Sequence, residues 1–288
     1  MAKQTRPEGT CHLCGEHCVL SFEHAPPEKA FNDKPAFLIP FEEAIHLGPD
    51  DEPQSKPIKQ QRGMAGYTLC ESCNNNTGSW YGGHFVQWSY DAAMLLERSG
   101  GKPNLHYPYY IYPLPILKQI ISLFLSVNSP RMQQKHPELA HFVLNKEVKY
   151  LNPRYRFFAY YTTEGRPRQL PFGRMYDIFT DTDPYLSEIT TFPFGYVMTI
   201  DSKAPDSRLF DISHFSRYEY DEFVALSLRF AVLPTHVTVP GDYRTKEEIT
   251  RVETEEEALE RKEELWRKAA GASGLALLEK LSSLTADP

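Results

Sequence analysis

The chain has 288 residues, 41 % hydrophobic and 24 % charged, with 17 Tyr and 17 Phe. That is enough apolar and aromatic material for one large core or two smaller ones, and it excludes a largely disordered chain. The formal net charge of −7 speaks against a uniformly basic nucleic-acid-coating protein.

Taken in chain order, residues 1–9 are polar. Residues 11–88 hold all five cysteines, at 11, 14, 18, 70 and 73, with many turn residues. Within them Leu47 to Gly66 has the composition of a long loop. "HFVQWSYDAAMLLERSGG" predicts a helix with Phe85, Trp88, Ala92 and Leu95 or Leu96 on one face and Gly100-Gly101 as the stop. "LPILKQIISLFLSVN" predicts a second, nearly all-apolar helix at the centre of a core. "HPELAHFVLNKE" predicts a short third, with Pro137 in its first turn. From about Tyr155 the period changes. "RYRFFAYYTT" and "GYVMTID" read as strands, and "YDEFVALSLRFAVLP" fits helix or strand.

Thr245 to Glu248 forms a capping box that opens a charged helical tail, with Leu259 and Trp266 on a narrow apolar stripe. Such a tail suits an oligomer or protein contact. The expected class is α+β, divided into 1–98, 99–244 and the tail 245–288.

No apolar stretch follows a basic start, so no signal peptide is expected. The longest apolar run, Ile120 to Val127, is far short of the roughly 20 residues that span a bilayer. The expectation is a soluble cytoplasmic protein with no membrane partner.

Charge is uneven along the chain. From Arg98 to Arg174 there are twelve basic residues against Glu138, Glu147 and Glu164, a net charge near +9. This predicts an anionic partner at the middle of the chain, with Arg154, Arg156, Arg166 and Arg168 as candidate phosphate contacts. Solvated faces are the competing explanation.

Cys11-x-x-Cys14 and Cys70-x-x-Cys73 form two paired-thiolate turns. Tetrahedral Zn²⁺ takes four such ligands, and a disulfide scaffold would be shorter with bridges more widely spread. A structural zinc clamp is expected, closing a loop longer than in the short zinc-ribbon pattern. His12, His17 and Cys18 are second choices as ligands, and Cys18 reads as a buried small apolar residue. The clamp would bring Asn74 against the segment that carries Glu23 and His24.

The residues "CHLC", "FEHAPP", "GMAGYTLCESCNN" and "TGSWYG" together resemble the HNH endonuclease family in its four-cysteine, ββα-metal form. The resemblance covers about a quarter of the chain. It implies a metal-dependent nuclease in which Glu23 and Asn74 hold a catalytic Mg²⁺ or Mn²⁺ and His24 activates water. Asn75 is the fallback for Asn74. It also implies a DNA substrate, double-stranded for preference, and a place in restriction, mobile-element or anti-phage biology.

The residue types suit that chemistry. Neutral imidazole takes a proton near pH 7, and a hard cation on a few oxygens stabilises charge at a phosphodiester. The chain departs from the family pattern at three places. Ala65 stands where a middle Asn or His is usual, Thr77 where Lys is usual, and Glu23 where Asp is commoner. Orientation of His24 must then come from a backbone carbonyl or another side chain. The alternative is a non-catalytic, zinc-stabilised module that binds nucleic acid or protein.

Overall fold

The computed structural model of the chain describes residues 6–39, 41–44, 47, 51–174 and 185–251. The tail helix expected beyond Thr245, with Leu259 and Trp266, lies outside the described residues apart from its start. That start is α7, Lys246–Thr250, whose N-cap Thr245 and Glu248 form the expected capping box.

The fold is mixed α and β. Strands β1 (Glu8–Thr10), β2 (His17–His24) and β5 (Ala65–Cys70) make an antiparallel sheet in the order β1-β2-β5. Between β2 and β5 lie β3 (Ala36–Leu38), the one-turn helix α1 (Phe41–Ala44) and β4 (Ile58–Gln60). β3 and β4 pair as a hairpin, so the stretch read as a long loop carries a strand and the start of β5.

Helix α2 (Glu71–Thr77) leaves β5 directly, capped by the Cys70 side chain. Asn74 to Asn76 therefore sit inside the helix and do not cap it. A π turn, Gly78–Gly82, joins α2 to α3 (Gly83–Arg98), and the backbone stays right-handed helical through both junctions. α3 buries Phe85, Trp88, Ala92 and Leu96, the face expected from their spacing.

Strand β6 (Asn104–Ile111) leads into α4 (Pro113–Val127), the central apolar helix, of which all but the last residue is buried. α5 (Pro130–Lys135) and α6 (Pro137–Leu144) follow. Strands β7 (Tyr155–Tyr161), β8 (Arg168–Arg174), β9 (Tyr185–Thr191), β10 (Phe194–Ile200) and β11 (Phe210–Asp211) form one antiparallel sheet in the order β11-β7-β10-β9-β8. A short 3-10 turn, Ser213–Arg217, precedes β12 (Val224–Ala231), which pairs with β6. The ambiguous segment at 224–231 is thus a strand.

One hydrophobic core runs from Cys11 and Leu13 through α3 and α4 to β7, β10 and Phe230. The division expected at 98/99 passes through the middle of it. α4 packs against β5 as well as against β8 and β9. Trp88 stacks on Phe194 at 4.7 Å between ring centroids and donates its indole N–H to the Tyr196 hydroxyl at 3.0 Å.

Lys118 is fully buried in α4. Its ammonium donates to the carbonyls of Phe142, Asn145 and Val148, closing the C-terminal end of α6. Burial pulls its pKa down to about 7. A neutral amine has only two N–H groups for three carbonyls, so the geometry calls for the ammonium. Among the described residues no helix is long and apolar enough to cross a membrane.

Candidate metal and cleavage site

The sulfur atoms of Cys11, Cys14, Cys70 and Cys73 lie within 4.8 Å of one another, and none forms a disulfide. This spacing suits a tetrahedral ion such as Zn²⁺, whose sulfur ligands sit at about 2.3 Å from the metal. Backbone geometry builds the first knuckle. Gly15, at φ +79°, donates its N–H to the Cys11 carbonyl, and the Cys11 N–H goes to Glu16. The Cys11 sulfur also accepts the Cys70 N–H at 3.2 Å, so the two knuckles meet. A hydrogen bond from the Cys73 thiol draws Cys11 down to about 4, whereas burial pushes Cys14 up to about 11. Four thiolates this close require a cation to ionise together. Cys18 is not one of the four clustered sulfurs and is only half-buried, less than expected.

Beside the cysteine cluster, β2 pairs with β5. Opposite Ser21 and Phe22 the register slips, from Leu69 to Tyr67, leaving Thr68 as the extra residue of a bulge. The Thr68 hydroxyl donates to Glu23 Oε2 at 2.9 Å. The Ser126 hydroxyl, from the end of α4, donates to the same oxygen at 2.9 Å. Both bonds fall on one carboxylate oxygen, which leaves Oε1 for another partner. Glu23 is almost completely buried, and that burial raises its pKa to about 7. α4 is also tied to the first knuckle, because the Ser126 carbonyl lies 2.9 Å from His12 Nδ1.

His24 ends β2 directly across from Ala65. No cross-strand side chain therefore orients its ring, and Phe22 packs edge-on at 5.4 Å instead. His24 Nε2 is buried without a hydrogen-bond partner. The turn beyond His24 is held by Asn32, whose amide nitrogen donates to the Pro26 and Met64 carbonyls. Asn32 Oδ1 accepts the Met64 N–H at 2.7 Å. Gly63, at φ +72°, makes this contact possible, because a Cβ there would lie 1.9 Å from the Asn32 carbonyl oxygen.

Asn74, one residue past the last cysteine, donates its amide nitrogen to Ser21 Oγ at 3.1 Å and the Phe22 carbonyl at 3.2 Å. The structure thus brings Glu23, His24 and Asn74 together around one cavity of about 530 Å³. Lys29 stands exposed on the same cavity, and Gly78, Gly82, Gly83 and Gln119 also line it.

The four arginines do not join this site. Arg168 is buried, with its guanidinium 3.4 Å from Glu188 and bonded to the Val237 and Val239 carbonyls, so it is not a phosphate contact. Arg154 pairs with Asp201 and Arg156 with Asp211. Arg166 donates to the Asp51 carbonyl at 2.9 Å. Lys149 pairs with Glu219, and Lys118 is buried. The basic middle of the sequence is therefore partly neutralised by Glu188, Asp201, Asp211 and Glu219, all downstream of it, a pairing that linear charge counting does not see.

Thr68, Ser126, Gln119, Lys29 and Asn32 were not expected at the site. One signal was present. Gln119, Ser122 and Ser126 recur at i, i+3 and i+7 of a helix whose one other polar residue is Lys118, which places polar groups on one buried face. No family model, curated protein or solved structure matches this chain.

Proposed function

We propose that the protein is a metal-dependent endonuclease of the HNH type that hydrolyses phosphodiester bonds in DNA. The observation that carries this is the convergence of Glu23, His24 and Asn74 on one cavity beside the four-cysteine cluster. The antiparallel pair β2 and β5 running straight into α2 supports it. In this reading zinc occupies the cysteines as a structural ion. Glu23 Oε1 and the Asn74 amide oxygen are the hard donors for a catalytic Mg²⁺ or Mn²⁺, which would stabilise charge on the phosphate and leaving oxygen.

The chain's own residues do the rest. The His24 imidazole accepts the proton of the attacking water. Thr68 and Ser126 fix the Glu23 carboxylate and favour its charged form. Lys29 gives a phosphate an exposed cation at the cavity rim. Incubation with supercoiled plasmid should give nicked and linear forms with Mg²⁺ or Mn²⁺ and none with EDTA.

One observation favours a second reading, a zinc-stabilised binding module without catalysis. Ala65 faces His24 where an orienting side chain is wanted. In that case the protein binds zinc but no second, exchangeable divalent ion, and the plasmid stays intact.

A further inference from the structure

Glu23 is held by two hydroxyls from distant parts of the chain, Thr68 in the bulge of β5 and Ser126 in the last turn of α4. Both reach Oε2 at 2.9 Å, and the two hydroxyl oxygens lie 2.7 Å from each other. Thr and Ser side chains are short, so they cannot compensate for a shifted main chain. The triangle of oxygens therefore depends on where the two backbones are set.

One residue meets both backbones. His12 lies inside the first cysteine knuckle, between Cys11 and Cys14. Its N–H donates to the Thr68 carbonyl at 2.9 Å. Its ring atom Nδ1 lies 2.9 Å from the Ser126 carbonyl. A carbonyl only accepts, so Nδ1 carries the proton in this contact. The four sulfurs make a complete tetrahedral set without the imidazole.

Ser126 depends on this support more than Thr68 does. Its carbonyl is one of the last four of α4, which have no acceptor role within the helix. Thr68 is also held by its neighbours Tyr67 and Leu69, which both pair with β2.

We propose that His12 is a positioning residue for Glu23. Anchored in the cysteine knuckle, it sets the last turn of α4 so that the Ser126 hydroxyl meets the Glu23 carboxylate. The cysteine cluster then does more than hold the fold, because it is linked to Glu23 through His12, Thr68 and Ser126. For a divalent ion at Glu23 the proposal rests on the nuclease reading, whereas the alignment of Ser126 stands on the hydrogen bonds alone.

The test is a double-mutant cycle between His12→Ala and Ser126→Ala on zinc-loaded protein at one pH. One readout is Mn²⁺ affinity, followed by the electron paramagnetic resonance signal of the free ion. The other is urea unfolding without Mn²⁺. His12→Ala keeps the backbone N–H and with it the Thr68 anchor. It should retain its zinc by elemental analysis and bind Mn²⁺ about tenfold more weakly, the worth of one hydrogen bond at a buried group. Ser126→Ala should show a loss of similar size. The double variant should lose little beyond either one, because both changes break the same link. His12→Asn should recover most of the affinity, since its amide N–H sits as many bonds from Cα as Nδ1 does. A role in packing alone would not give that recovery.

Wild-type Mn²⁺ affinity in His12→Ala, losses that add in the cycle, or no recovery in His12→Asn overturns the proposal. Loss of zinc from His12→Ala also overturns it, because the imidazole would then belong to the clamp. If wild type binds no Mn²⁺, the metal reading of Glu23 falls and the unfolding cycle decides the alignment. There, a double variant whose unfolding constant rises at least about threefold less than the product of the two single changes supports it. Additive unfolding overturns it.

Discussion

Exchanging Glu23 for Gln removes a charge and little else. The amide keeps an oxygen for the Thr68 and Ser126 hydroxyls, each now 2.9 Å from the carboxylate. Burial raises Glu23 from an ordinary 4.5 to about 7. Its folded pKa lies above its unfolded one, so the folded, metal-free protein holds the proton more tightly than the unfolded chain. The resulting stability is fully present below about pH 4.5 and is lost as pH rises through about 7. At about 1.4 kcal/mol per pH unit, the part lost between pH 5.5 and 8 is about 2 kcal/mol. Glu23→Gln has no such loss. Urea unfolding of zinc-loaded protein, free of Mg²⁺ and Mn²⁺, should therefore show the variant gaining about 2 kcal/mol on wild type between those pH values. Any titration of the cysteine cluster is common to both proteins and cancels. Added Mn²⁺ should then stabilise wild type at pH 8 and not the variant. Identical pH dependence in the two proteins would show that Glu23 is not held in a proton-retaining environment, and the account of its burial would be wrong.

Three further outcomes follow from the same structure. Cys70→Ser should lose the tightly held zinc, measured by elemental analysis, and unfold the segment around β2 and β5, since thiolate ligation contributes folding energy directly. Arg168→Gln should cost about 3–5 kcal/mol by leaving Glu188 charged and buried. The exposed pair broken in Arg154→Gln should cost at most about 1 kcal/mol, so chemical denaturation separates a core arginine from a surface one. Lys118→Met should cost about 3 kcal/mol, because three carbonyls at the end of α6 lose their donor; an unchanged melting temperature would contradict that role.

Much of the fold was legible because it rests on local periodicity and spacing. The faces of α3 and α4, the strands at β7 and β10 and the capping box at Thr245 all follow from such patterns. The convergence of Glu23 and Asn74 followed from one long-range inference, that two cysteine pairs share an ion. What stayed hidden depends on other contacts between distant segments. Ser126 reaches Glu23 across 103 residues, and the basic middle meets its acids only after β7 and β11 have paired. Arg168 reads as a surface cation in sequence because nothing local announces Glu188 on the neighbouring strand. The bulge at Thr68 is a matter of register, which residue types alone do not set.

The most direct measurement of the central claim is plasmid cleavage by His24→Ala, set beside its Mn²⁺ affinity. His24 is not among the proposed ligands of either ion, and its Nε2 has no hydrogen bond to lose. The variant should therefore fold, keep its zinc and bind Mn²⁺ as wild type does. Its cleavage rate should fall by about 10²–10⁴, the worth of a general base. A folded His24→Ala protein that cuts as fast as wild type would contradict the assignment of catalysis to this cavity.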